Sequence, residues 1–286
     1  MRTFNLDLTL PKGWHELDDG QLTLVFQLLA QGLSADQIKA ACLLQWSGMK
    51  LLYMDGGSAT LQKDEDTFCL TTHQLHAAAN SLAWMDELPH IPVRVSEFKT
   101  QNALGTIAST AKGLSADFAG VPLQSFIMAD NLYQGYLHTQ KPQESRGVAV
   151  PSAGGARSAT RRGTNSEPSQ LLQQLAGVLY PGFHGTLAKW QEVAVFYWMA
   201  SLKDWLSHRF SDFFRPAADQ SGNLLGDARP LGLRIQQSVD AMLRALTKGD
   251  VTKEQQVLQL DTLRALTELN AQAREAQEMR TLSVTS

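Results

Sequence analysis

The sequence predicts a mainly α-helical protein: a small α+β N-terminal region, built of a strand, a hairpin and helices, then a helical C-terminal bundle. Three observations carry this reading. Helix-capping pairs of the Ser/Thr/Asp-x-x-Gln kind recur early, at Asp18/Gln21, Ser34/Gln37 and Thr71/Gln74. Residues 49–70 break that pattern with short β-rich pieces around an Asp-Gly-Gly turn. Beyond residue 169 the apolar residues recur only at helical spacing.

Taken in order, TFNLDLTL (3–10) alternates, with Phe4, Leu6, Leu8 and Leu10 on one face. That is the pattern of a half-buried strand, which Pro11 and Gly13 end. The Asp18 box opens a helix through Leu22, Val25, Phe26 and Leu29 that stops at Gly32. The Ser34 box opens a second, through Ile38, Ala41 and Cys42, that stops at Gly48. The β-rich pieces form a hairpin expected to pair with the first strand, and the Thr71 box opens a third helix reaching about Glu87. Residues 90–120 read as loop, with one short strand around VRVSEF. Pro122 suits the first turn of a helix carrying Leu123, Phe126, Ile127 and Tyr133 near one face. Four helices follow residue 169. The second of them, 186–210, is apolar nearly all round and is expected to be central. The last is expected to run from about Lys253 to Arg280.

The predicted division is a region 1–138, a linker 139–169 rich in Gly, Ser, Pro and Arg, and a helical region 170–286. Charge follows it. Residues 1–138 hold eight basic and fourteen acidic side chains, 139–168 five and two, and 169–286 twelve of each. No folded part is basic, which argues against a dedicated nucleic-acid domain. Arg157, Arg161 and Arg162 make the linker locally basic and give the nucleic-acid alternative its only foothold. Two cysteines, Cys42 and Cys69, fit a reducing compartment. The N-terminus lacks the apolar core of a signal peptide, and the longest apolar run, VAVFYWMA, is far short of a membrane span. The expected location is the cytoplasm.

Chemistry is sparse. LTKGDVTKEQQVL (246–258) superficially suggests a phosphate loop, yet it has one Gly and follows a helix rather than a strand. Lys248 and Gly249 read better as a helix C-terminus, and Thr252 with Gln255 as the cap of the next helix. On that last helix Leu263, Leu266, Leu269, Ala273 and Ala276 share one face, with Asp261, Arg264, Glu268 and Glu275 opposite. Cys69, His73 and His76 are the best metal candidates: on a helix the two His would share a face with Cys69 one turn before them. Zinc needs three or four ligands; no second His/Cys pair with ligand spacing exists, although His90 or Cys42 could approach in space. G-x-S-x-G, H-E-x-x-H and G-x-G-x-x-G are all missing, so no catalytic residue, cofactor or metal is assigned. The aromatics of 190–214 are the most suggestive feature, with Trp190, Trp198, Trp205, Phe210, Phe213 and Phe214 as partner-binding candidates. They fit either the core of a helical bundle or an interface centre.

Three stretches, GVPLQSFIMADNLYQGYL, VFYWMASLKDWLSHRFSDFFRP and ALTKGDVTKEQQVLQLDTLRALTELNAQARE, resemble an uncharacterised family of bacterial prophage-type proteins. That family is encoded among virion structural and tail-assembly genes. The resemblance includes the opening LPKGWHELDDGQL, excludes the linker and carries no catalytic motif. It implies a non-enzymatic assembly or structural protein, such as a tail-assembly chaperone or adaptor. Its implied partners are other phage structural or tail proteins, or further copies of itself. It would act in the host cytoplasm or ride in the virion.

Overall fold

The computed structural model describes residues 10–101, 107–140, 166–215 and 231–285. The strand expected over 3–10 falls outside the described residues except for Leu10, and Arg157, Arg161 and Arg162 fall outside them too. The fold is mainly helical, with a small antiparallel sheet near the N-terminus and helices towards the C-terminus. By mutual contact it divides into two units. One joins the described residues up to Asp117 with Gly185–Leu206, and the other joins Phe118–His184 with those from Ser207 onward. This grouping cuts across a linear division at 138 and 169, because a helix late in the sequence packs among the early elements.

In the first unit, α1 (Asp19–Ala30) and α2 (Ala35–Trp46) both open on reciprocal capping boxes. Asp18 Oδ1 accepts from Gln21 N at 2.8 Å while Gln21 Oε1 accepts from Asp18 N at 3.0 Å. Ser34 and Gln37 repeat the exchange. Each cap contributes about 1 kcal/mol. Strands β1 (Lys50–Asp55), β2 (Ser58–Lys63) and β3 (Asp66–Thr71) form an antiparallel meander, turned at Gly56-Gly57 as the Asp-Gly-Gly signal predicts. Thr71 ends β3 and caps α3 (Thr72–Ala79), which tightens into a 3₁₀ segment, Asn80–Asp86. Ala59 and Leu61 of β2 face inward and are fully buried.

A second sheet pairs β4 (Glu97–Gln101) with β5 (Ile107–Lys112) where one strand near 93–98 was expected. Buried Phe98 lies opposite buried Ala111. Strand β5 reads IASTAK; with one bulky apolar residue it carries too little alternation to announce itself.

The expected central helix is α6 (Lys189–Arg209). Through Leu206 it belongs to the first unit, and different sides of it serve different neighbours. Buried Ser201 accepts from Val93 N at 3.1 Å. The Trp198 indole donates to Ala116 O at 2.9 Å, and the Arg94 guanidinium lies over its ring at 5.8 Å. Trp190 meets Phe98 edge-on at 5.7 Å between centroids. Buried positions on several sides of the helix suit these neighbours, while Lys189, His208 and Arg209 at its ends stay exposed.

The second unit holds α4 (Leu123–Gln140), α5 (Ser166–Leu179), α7 (Ser211–Phe214), α8 (Leu231–Thr247), α9 (Glu254–Leu258) and α10 (Thr262–Thr285). Leu123, Phe126, Leu172, Leu175, Leu179 and Tyr180 form much of its core. Both margins of the predicted linker are helical, since α4 runs to Gln140 and α5 starts at Ser166. Pro168 lies in the first turn of α5, where its missing N–H costs nothing.

The expected unbroken helix 253–280 is interrupted. Leu260 O accepts from Leu123 N at 2.8 Å, and Thr262 donates both its N–H and its hydroxyl to Val121 O. Those long-range bonds take the backbone groups a continuous helix would use. Asp261 then caps α10, accepting from Arg264 N at 2.9 Å and from Gly120 N at 2.5 Å. Its carboxylate is a cap rather than a member of a charged helix face. Leu266 and Leu269 are buried as expected, Leu263 and Ala273 half-buried, and Ala276 exposed.

The segment 246–258 is helix punctuation, with a different cap from the one expected. After α8, Lys248 and Gly249 both adopt positive φ, 55° and 82°. Asp250, not Thr252, is the capping side chain, accepting from Thr252 N at 3.1 Å and Thr252 Oγ1 at 2.6 Å. These hydrogen bonds from Thr252, with the Lys253 ammonium at 2.9 Å, hold the Asp250 carboxyl down at about 2. Gln255 lies within α9 and completes no box.

Candidate partner-binding surfaces

The six aromatic candidates separate. Trp198 and Phe210 are buried, at 0% and 4% exposure, while Trp190, Trp205, Phe213 and Phe214 are half-buried. Trp190, Trp198 and Trp205 belong to the first unit and the three phenylalanines to the second, each set described by its own neighbours. Trp198 and Phe210 therefore answer to the core alternative. Helix α7 is held on α10: Asn270 Oδ1 accepts from Asp212 N and Phe213 N, both at 3.0 Å. Arg215 donates to Gln277 Oε1 at 2.8 Å. Phe213 and Phe214 sit edge-on at 5.0 Å on this short turn.

The most site-like feature of the first unit is an open apolar groove of about 340 Å³. Val25 and Leu29 of α1, Leu33 and Ile38 around the start of α2, Met85, Trp14 and Tyr197 line it. Leu33 and Ile38 occupy the two positions of a hydrophobic staple flanking the Ser34 cap, so one local device fixes the α1–α2 corner and part of the wall. The aromatic side is tied by hydrogen bonds and ring contacts. Trp14 meets Trp84 edge-on at 5.4 Å, and its indole donates to Glu87 O at 3.1 Å. Trp84 donates to Pro11 O at 3.1 Å. Tyr197 meets Trp14 and Phe26 in tilted contacts, at 5.9 and 5.5 Å between centroids, and burial pushes its hydroxyl pKa up.

One polar pair marks the groove. The Lys39 ammonium is nearly buried, 2.9 Å from Asp86 Oδ2 and 3.4 Å from Asp36 Oδ1. The Asp86 hydrogen bond raises its pKa despite desolvation. The lysine thus stays charged and balanced by its carboxylate partners, and the groove offers apolar walls with a satisfied ion pair at one side.

A second surface is strand β1. Leu51, Leu52, Tyr53 and Met54 are consecutive, large and apolar, yet 45–61% exposed. A run without alternation ordinarily signals a strand buried on both faces, so periodicity points away from this surface. The groove is equally illegible locally, because its residues come from four separate stretches of chain.

The metal candidates do not share a helix. Cys69 lies on β3 opposite Thr60, and His73 and His76 follow on α3; all three are exposed. Among the described residues no three His, Cys, Asp or Glu side chains are grouped to hold a metal ion. Cys42 is fully buried, and burial drives its thiol pKa up to about 12. No helix among the described residues is long and apolar enough to cross a membrane. Comparison with protein families, curated proteins and solved structures finds no match for this chain.

Proposed function

We propose that this chain is a non-enzymatic, phage-related assembly or structural protein, a tail-assembly chaperone or adaptor, that works by holding an apolar segment of another phage structural or tail protein. The observation that supports it best is the groove lined by Val25, Leu29, Leu33, Ile38, Met85 and Tyr197. Its volume of about 340 Å³ lies at the low end of ligand pockets, suited to one or two anchoring side chains of a peptide or helix. Its aromatic wall is already held by hydrogen bonds and ring contacts, which favours a preformed site with little ordering left to oppose binding. The resemblance to prophage-type proteins supplies the class of partner, and the place of action is the host cytoplasm during assembly.

The test is co-expression of the full chain with the tail and head proteins encoded beside it, followed by co-purification. Leu29→Asp and Leu33→Asp place a charge on half-buried groove positions. Recovery of a defined partner should fall about tenfold or more while the melting temperature moves only a few degrees. Unchanged recovery in both variants would remove the groove from the proposal.

A further inference from the structure

The inner face of the three-stranded sheet does not end at its last buried residue. Leu51 is opposite Leu61, and Met54 opposite Ala59, so both point to the side on which Ala59 and Leu61 are buried. Lys50, Tyr53 and Asp55, opposite Gln62, Thr60 and Ser58, point to the other side. Beyond β1 no further strand is paired among the described residues. Exposed apolar edges of this kind recruit another strand unless something blunts them. Here a bulge between Leu51 and Tyr53 and the two terminal charges are the blunting features, and the four central side chains are all apolar.

We propose that β1 pairs antiparallel with β1 of a second copy of this chain, joining two sheets into one. The self-complementarity of Lys50–Asp55 selects a second copy as the occupant. About a twofold axis normal to the sheet between Leu52 and Tyr53, Lys50 meets the partner's Asp55, Leu51 the partner's Met54, and Leu52 the partner's Tyr53. Directly opposed residues of antiparallel strands point to the same face. In this register the two inner-face residues, Leu51 and Met54, meet each other, and the two outer-face charges meet with opposite sign. A slip by one residue opposes inner with outer side chains and loses both matches. A six-residue strand spans only about 20 Å and pairs along one edge, too little contact for the roughly 2,000 Å² or more that obligate interfaces bury, so the dimer is reversible. The pairing is independent of the groove, whose lining residues it does not use.

The experiment is sedimentation velocity of the full chain from about 1 to 200 µM, with amide hydrogen exchange of β1 read at both ends of that range. Dimer should accumulate with concentration, and protection of residues 51–54 should rise with it. Met54→Lys, at a 61% exposed position, should abolish the dimer without lowering the melting temperature. Lys50→Asp sets like charges at both ends and should weaken association about tenfold, and the exchange K50D/D55K should restore it. A dimer indifferent to Met54→Lys and Lys50→Asp, or one that the double exchange fails to rescue, overturns the proposal. So does a monomer throughout. In that case, protection at every concentration of the β1 amides that point away from β2 assigns the edge to the chain's own residues 3–10, and exchange of those amides without protection leaves it to a different protein.

Discussion

The two edges of the N-terminal sheet, β1 and β3, pair with the same central strand and meet solvent differently. Along β3 the exposed positions are Asp66, Thr67, Cys69 and Thr71, while the inward-facing Phe68 and Leu70 are half-buried. Its last residue becomes the cap of α3, and that helix contacts both β3 and β2. Among the described residues strand β1 has no such cover, and its apolar residues stay exposed on both sides. The difference teaches that exposure here is not a matter of strand position alone. An edge whose apolar residues are half-buried is finished within the chain, and one whose apolar residues stay exposed is a place for pairing.

The largest effect should come from the strand both edges share. Leu61 is fully buried between Leu51 and Phe68 in the register. Leu61→Ala should lower stability by about 2–4 kcal/mol through lost burial and a residual cavity, measured by thermal or urea unfolding. A cost below about 1 kcal/mol would mean that the sheet contributes little to the unit, and the contrast between its edges would lose its energetic meaning.

A matched pair separates the edges themselves. Phe68→Ala, removing a half-buried inner side chain opposite Leu61, should cost about 1–2 kcal/mol. Met54→Ala, on the same face but 61% exposed, should stay within about 0.5 kcal/mol in dilute solution. With concentration the second value should grow, because a dimer partner would then bury the methionine. Equal costs at low concentration would show that β1 is already covered.

This contrast also marks how far the sequence can be read. The caps at Asp18, Ser34 and Thr71 are visible in the chain because each is a hydrogen-bonded exchange within four residues. The Asp-Gly-Gly turn and the encircled apolar helix α6 are local in the same sense. The break at Gln259–Asp261 is not, since Val121 and Leu123, far away in sequence, take the hydrogen bonds that would have continued the helix. Strand β5 escapes because it is short of bulky residues, and exposed β1 misleads because its composition is that of a buried strand. The groove is the hardest case. Val25 and Ile38 read as helix core residues, and only the packing of Trp14, Met85 and Tyr197 around them leaves a space.

The smallest effect on stability, and the sharpest on chemistry, concerns the two thiols. Cys69 sits exposed on the polar side of β3, while Cys42 is sealed inside α2. At pH 8 a thiol reagent should therefore modify one cysteine per chain, with mass spectrometry placing it at Cys69. Cys42 should react only after denaturant unfolds the unit, because burial holds its pKa near 12 against an ordinary 9.0 and leaves almost no thiolate. The sign of the linked stability follows. The folded state keeps the Cys42 proton more tightly, so this contribution is complete below pH 9 and lost as pH climbs from the ordinary value towards the folded one. Cys42→Ala should remove that alkaline decline, at the cost of a small cavity, and Cys69→Ser should leave it unchanged. Rapid modification of both thiols at pH 8 would mean that α2 opens readily, and the groove it walls would then be too loosely held to act as a preformed site.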